Sequence, residues 1–138
     1  TKARLEPPEL KLMSTEPRGE GRRVRLNLHS NRGARFLQLV LAADTSPVRY
    51  YVGGNEVEPI PSTGESDKGV TRLVFLGVQL RDVEVTIDFE NSGPVTAYLL
   101  DATTGLPQNA AGMLDVRPPL ASPAHGGDMA MVFREVAF

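Results

Sequence analysis

The sequence contains no cysteine, no tryptophan and only two histidines. Without cysteine there is no disulfide, no thiolate zinc site and no cysteine nucleophile, although the redox compartment stays open because many exported domains also lack the residue. Two imidazoles and no thiolates make a metal centre hard to assemble, since zinc takes three or four converging ligands. No cofactor is therefore expected in this chain. Long apolar runs are missing too. The longest candidate, Val70 to Leu80, is broken by Arg72 and Gln79, well short of the ~18 apolar residues of a membrane helix. No direct membrane insertion is expected. Nor does any window of ten residues carry the i, i+3, i+4 apolar spacing of an amphipathic helix.

What is present is a chain of 138 residues, 41% hydrophobic and 23% charged, the balance of an ordinary globular domain and of a length that supports one core. Thirteen glycines and eleven prolines punctuate it every few positions. Between them the apolar residues alternate with polar ones at a period of two, the mark of half-buried strands. Val24, Leu26 and Leu28 face one way and Arg23, Arg25, Asn27 and His29 the other. Val83, Val85, Ile87 and Phe89 alternate in the same way with Asp82, Glu84, Asp88 and Glu90. Ala34 to Ala43 is apolar on both faces, which predicts a central strand.

Further strands are expected at Leu10–Thr15, Val48–Val52, Glu56–Glu58, Val70–Leu76, Val95–Asp101 and Asp128–Phe138. In the last of these Met129, Met131 and Phe133 share one parity and Val136 and Phe138 the other, so a bulge near Arg134 is expected if both sets point inward. Ser30-Asn31-Arg32-Gly33 and Gly53-Gly54-Asn55 read as hairpin turns, and Asn91-Ser92-Gly93-Pro94 as another turn. The fold class is all-β: an antiparallel β-sandwich of about eight strands forming a single domain. Residues 9–138 make the domain. Residues 1–8, with Glu6-Pro7-Pro8, make a stiff lead-in, and the opening Thr1-Lys2-Ala3-Arg4 predicts a piece cut from a longer protein.

Charge is unevenly spread. Residues 1–35 hold nine Lys/Arg against four Asp/Glu, and residues 36–138 hold six against thirteen. The basic concentration of Arg18, Arg22, Arg23, Arg25, Arg32 and Arg35 lacks the aromatic platforms that stack bases, so no nucleic-acid partner is expected. Arg23 and Arg25 share the outward geometry of Glu84 and Asp88, and cross-strand pairing between the two stripes is expected instead. Catalytic constellations are equally thin. Ser122 and His125 lack a strained G-x-S-x-G elbow. His125-Gly126-Gly127-Asp128 has ligand spacing without further ligands. Glu84 and Asp88 read as a solvated acidic stripe. No catalytic, cofactor-binding or metal residue is assigned.

Thr104 to Gly127 carries four prolines and four glycines and no strand pattern. Loops beyond ~15 residues without regular structure are either disordered or functional. Leu106, Met113, Leu114, Val116 and Leu120 are too apolar to sit comfortably in water. Packing over an edge or open end of the sandwich is expected, with any surface left bare forming an interface.

A set of short motifs in order runs through the chain: Pro7-Pro8-Glu9-Leu10; Val24-Arg25-Leu26-Asn27-Leu28 into Ser30-Asn31-Arg32-Gly33-Ala34; Ser92-Gly93-Pro94-Val95; Gly105-Leu106-Pro107; Arg117-Pro118-Pro119; and Asp128-Met129-Ala130-Met131-Val132-Phe133-Arg134 with Phe138. With these the chain resembles the C-terminal extracytoplasmic domain of membrane-bound zinc aminopeptidases of metallopeptidase family 28, the bacterial relatives of the endoplasmic reticulum metallopeptidase. The resemblance implies a non-catalytic accessory domain on the periplasmic side of a membrane-anchored hydrolase. Zinc would lie in a peptidase domain outside this chain, and the partners would be the peptidase and membrane portions of the same parent. None of the family's zinc ligands is present here, so no catalytic residue carries over. The alternative from another class is a free-standing sandwich that binds carbohydrate or an anionic polymer.

Overall fold

In a computed structural model of the chain, the residues described are 6–42, 47–60, 70–77, 82–104 and 129–138. They form nine strands and no helix: β1 (Glu9–Arg18), β2 (Gly21–His29), β3 (Phe36–Leu41), β4 (Pro47–Val52), β5 (Asn55–Val57), β6 (Thr71–Leu76), β7 (Val83–Phe89), β8 (Thr96–Thr104) and β9 (Met129–Ala137). All pairings are antiparallel. One sheet runs β1-β2-β7-β4-β5 and the other β6-β3-β8-β9. The expected sandwich is present with nine strands, and the three-residue β5 overlaps the strand expected at Glu56–Glu58.

The core follows from alternation. Val24, Leu26 and Leu28 of β2 and Val85, Ile87 and Phe89 of β7 project from one sheet, and Leu37, Leu39 and Leu41 of β3 with Ala97 and Leu99 of β8 project from the other. All are buried, and each fully buried aliphatic side chain contributes roughly 1.5–3 kcal/mol. Pro8 is buried as well, and the Asn31 side chain donates to the Pro7 carbonyl at 3.1 Å, so packing begins inside the lead-in.

Of the two segments read as hairpin turns, one closes a hairpin and the other does not. Gly53 and Gly54 both have positive φ and join β4 to β5 in a two-residue hairpin, as their chemistry demands. Ser30-Asn31-Arg32-Gly33 also turns through a positive φ, at Gly33, but it does not close a hairpin. It carries the chain from one sheet to the other, since β2 and β3 belong to different layers. Asn91-Ser92-Gly93-Pro94 likewise crosses between layers, from β7 to β8.

The bulge expected near Arg134 is not there. Pairing of β8 with β9 is unbroken from Thr96 opposite Ala137 to Thr104 opposite Met129. The two parities are reconciled another way: Val136 and Phe138 point inward, while Met131 and Phe133 stand outward at 60% and 67% exposure. Register instead shifts in β1 at Met13 and in β4 at Val48.

The layers are joined at one end by Arg22 of β2, whose guanidinium lies 5.9 Å from the ring centroids of both Phe89 and Phe138. It donates to the carbonyls of Gly93 and Phe138 at 3.1 and 2.8 Å. Beside it β2 approaches β7 so closely that a Cβ on Gly21 would fall 1.8 Å from the Phe89 carbonyl oxygen. Only glycine fits there.

Candidate functional site

The two outward faces of the sandwich are chemically unlike. On the five-stranded sheet, register aligns Glu16, Arg23, Asp88 and Arg49 in one row across β1, β2, β7 and β4, so charge alternates from strand to strand. Arg23 reaches Asp88 through two hydrogen bonds of 2.7 and 3.0 Å and lies over the Tyr51 ring at 5.3 Å. Arg18 approaches the same carboxylate at 3.6 Å. The hydrogen bonds from Arg23 hold the Asp88 carboxyl below the ordinary carboxylate range; burial opposes them less strongly, and the positive charges of Arg23, Arg18 and Arg49 add to the lowering. Arg25 pairs with Glu84 diagonally, since register sets Arg25 opposite Thr86 and Glu84 opposite Asn27. The arginine and acidic stripes therefore meet on one surface, as their shared parity predicts.

His29 stands on this face too, half exposed, with Nδ1 2.6 Å from Asp82 Oδ1. That contact and one from Asn27 lower the Asp82 carboxyl from its usual range. Among the described residues no three His, Cys, Asp or Glu side chains gather as a metal site would require. Near Asp88 the surface dips into an open hollow of about 390 Å³ flanked by Arg18, Arg49, Glu20 and Glu90. Its carboxylates and guanidiniums are of mixed sign, and Asp88 is already engaged by arginine. It presents neither a free nucleophile nor a field of one sign.

The outer face of the four-stranded sheet is apolar. One row across β6, β3, β8 and β9 reads Leu76, Phe36, Ala102, Met131, and the next reads Val74, Gln38, Leu100, Phe133. A third reads Arg72, Val40, Tyr98, Glu135. Leu76 is 75% exposed and marks one margin as Phe133 marks the other. Sequence reading found half of this surface when it read Ala34 to Ala43 as apolar on both faces. It missed the half on β9 by turning Met131 and Phe133 inward. The signal was Val132, whose parity matches Val136 and Phe138 without any bulge.

A second feature escaped the sequence. Asp101 of β8 is fully buried on the core face. Arg32 donates to its Oδ1 at 2.6 Å and to Thr103 Oγ1 at 3.1 Å. The Ser30 hydroxyl donates to Asp101 Oδ2 and accepts from the Ala34 amide at 3.1 Å. The cross-layer turn is thus bolted to β8 by a buried ion pair. Val95, Ala97, Leu99 and Asp101 share one parity, which places a carboxylate in the core and demands a cation. Five of the six arginines of the basic concentration accordingly split three ways: Arg18, Arg23 and Arg25 to the acidic stripe, Arg22 to the aromatic joint, and Arg32 to Asp101.

The interface candidates Leu106, Met113, Leu114, Val116 and Leu120 lie outside the described residues, as do Ser122 and His125. Among the described residues no nucleophile, base and orienting acid are brought together. No family model, no curated protein and no solved structure matches the chain.

Proposed function

We propose that this chain is a non-catalytic accessory domain of a membrane-anchored zinc aminopeptidase, placed on the extracytoplasmic side, that supports or shields the peptidase portion through protein contacts. The observation that carries the reading is the apolar outer face of the β6-β3-β8-β9 sheet. A sheet face of this kind is normally covered. The parent's identity rests on the ordered motifs from Pro7-Pro8-Glu9-Leu10 to the closing Asp128 to Arg134 segment. In the parent, zinc would be held by the peptidase portion. An anionic polymer finds less support, because the arginines it would need on the opposite face already hold carboxylates.

The test has two parts. The full-length protein should carry zinc-ligating His, Asp and Glu residues and membrane helices upstream of this domain, and a full-length sequence without them sinks the proposal. Leu76→Ser with Val74→Ser should then lower peptidase activity or assembly of the parent several-fold. The melting temperature of the isolated domain should stay nearly unchanged. Unaltered activity in that variant overturns the contact role of the face.

A further inference from the structure

Sandwiches with open edges invite pairing with other chains, and their edge strands commonly carry guards against it. Three of the four edges here do. β1 has a register shift at Met13 and a proline at position 17. β5 is three residues long. β6 is bridged by Ile60 opposite Arg72. β9 has none of these devices and only the charges of Arg134 and Glu135 against pairing: it runs nine residues without proline or register shift, and no strand among the described residues pairs with its outer edge.

The direction of its backbone groups can be read off the ladder. Val95 and Phe138 exchange both backbone hydrogen bonds, at 2.8 and 3.0 Å. Pairs along an antiparallel ladder alternate between bonded and non-bonded. The amides and carbonyls of Val136, Arg134 and Val132 therefore bond to β8, and those of Met131, Phe133 and Glu135 point to the open edge. These same residues have their side chains on the exposed outer face. Backbone groups and exposed side chains thus form one coherent template.

We propose that β9 pairs antiparallel with β9 of a second copy of this chain about a two-fold axis at Phe133, making one continuous eight-stranded sheet. Three constraints choose that register. Keeping the apolar faces on one side requires odd residues to oppose odd residues, which also brings outward amides against outward carbonyls. An axis at Arg134 or Glu135 would oppose like charges directly. An axis at Phe133 alone overlaps the whole of Met129–Ala137 with itself. Phe133 then faces its own counterpart as a cross-strand aromatic pair, Met131 faces Glu135 of the partner subunit, and Arg134 faces Val132 of the partner subunit. This pairing does not rest on the peptidase reading and uses an edge rather than the Leu76 margin tested above.

Because the chain has no cysteine, single cysteines report the register directly. Light scattering should show a dimer that forms as concentration rises from micromolar toward millimolar. Phe133→Cys should join two chains through a short thiol-to-thiol crosslinker. Met131→Cys should not, since its counterpart lies about 14 Å away along the strands. Phe133→Pro removes an outward amide and no bond to β8, so it should remain monomeric and folded. A chain monomeric throughout the range, equal crosslinking at both cysteines, or a folded dimer from Phe133→Pro overturns the proposal. If Phe133→Pro fails to fold, the two cysteine variants decide alone.

Discussion

The two sheets share a core but meet the outside in opposite ways. On the β1-β2-β7-β4-β5 layer outward charges of opposite sign meet from strand to strand, as in the Glu16, Arg23, Asp88, Arg49 row. On the β6-β3-β8-β9 layer the outward rows are mostly apolar, and the single carboxylate that anchors it, Asp101, is inside. Alternation alone makes the first layer a surface. The second is apolar on both faces of β3, a pattern typical of strands covered on both sides. Charge is spent differently as well: spread in shallow pairs on one layer, concentrated in a single buried bolt on the other.

Breaking the two kinds of charge pair is the sharpest way to expose this difference. Arg32→Ala leaves Asp101 buried without its cation and should cost about 3–5 kcal/mol, read as a fall in the midpoint of urea unfolding. A loss below 1 kcal/mol would mean that the bolt does not hold the layers. Gly21→Ala drives a Cβ into the Phe89 carbonyl at the joint between layers. It should cost roughly 2–4 kcal/mol by forcing β2 away from β7, a backbone strain no neighbouring rotamer relieves. Substituting Gly19, with open space around it, should cost less despite its positive φ.

On the charged face the effects shrink. Asp88 has a carboxyl held below its usual value of 3.8. A depressed carboxylate contributes stability that is fully present above the unfolded value and is lost as pH falls through the folded one. Asp88→Asn should therefore lower stability by a constant amount at neutral pH, and the gap between the two proteins should close below about pH 4. A gap unchanged at acid pH would remove the arginine pairing as its cause. Arg25→Ala, which breaks an exposed pair with Glu84, should leave the unfolding midpoint almost unchanged, with the small difference shrinking further in high salt. A larger loss would show that the charged layer is held by its surface after all.

Much of this arrangement is legible in the sequence because period-two alternation is local. Val24-Arg25-Leu26-Asn27-Leu28 and Val83 to Phe89 announce which face is inward, and their charged faces announce each other. Gly53-Gly54 announces its hairpin for a reason equally local, the positive φ it requires. What alternation cannot convey is which layer a strand joins. Ser30 to Gly33 has the composition of a hairpin turn, but its destination is fixed by Asp101, about seventy positions away and reached through Ser30 and Arg32. β9 was misread for a related reason. Met131 and Phe133 are apolar enough for a core, and only the inward demand of Val136 and Phe138 on the same unbroken strand turns them out.

The aromatic joint sets a schedule for folding. Arg22 bonds to the Phe138 carbonyl across 116 positions, and β9 is one of the two strands that pair with β8. Contacts this far apart in sequence form late and slowly, since a long loop must close before it is rewarded. On the ribosome the charged layer can assemble its β1-β2 hairpin early, but the layer bearing the apolar face stays incomplete, with the edge of β8 bare, until the segment from Met129 to Phe138 has emerged. Folding of this domain therefore cannot finish before the segment from Met129 to Phe138 is made, and a nascent chain halted before Met129 would present β8 to whatever strand it met first.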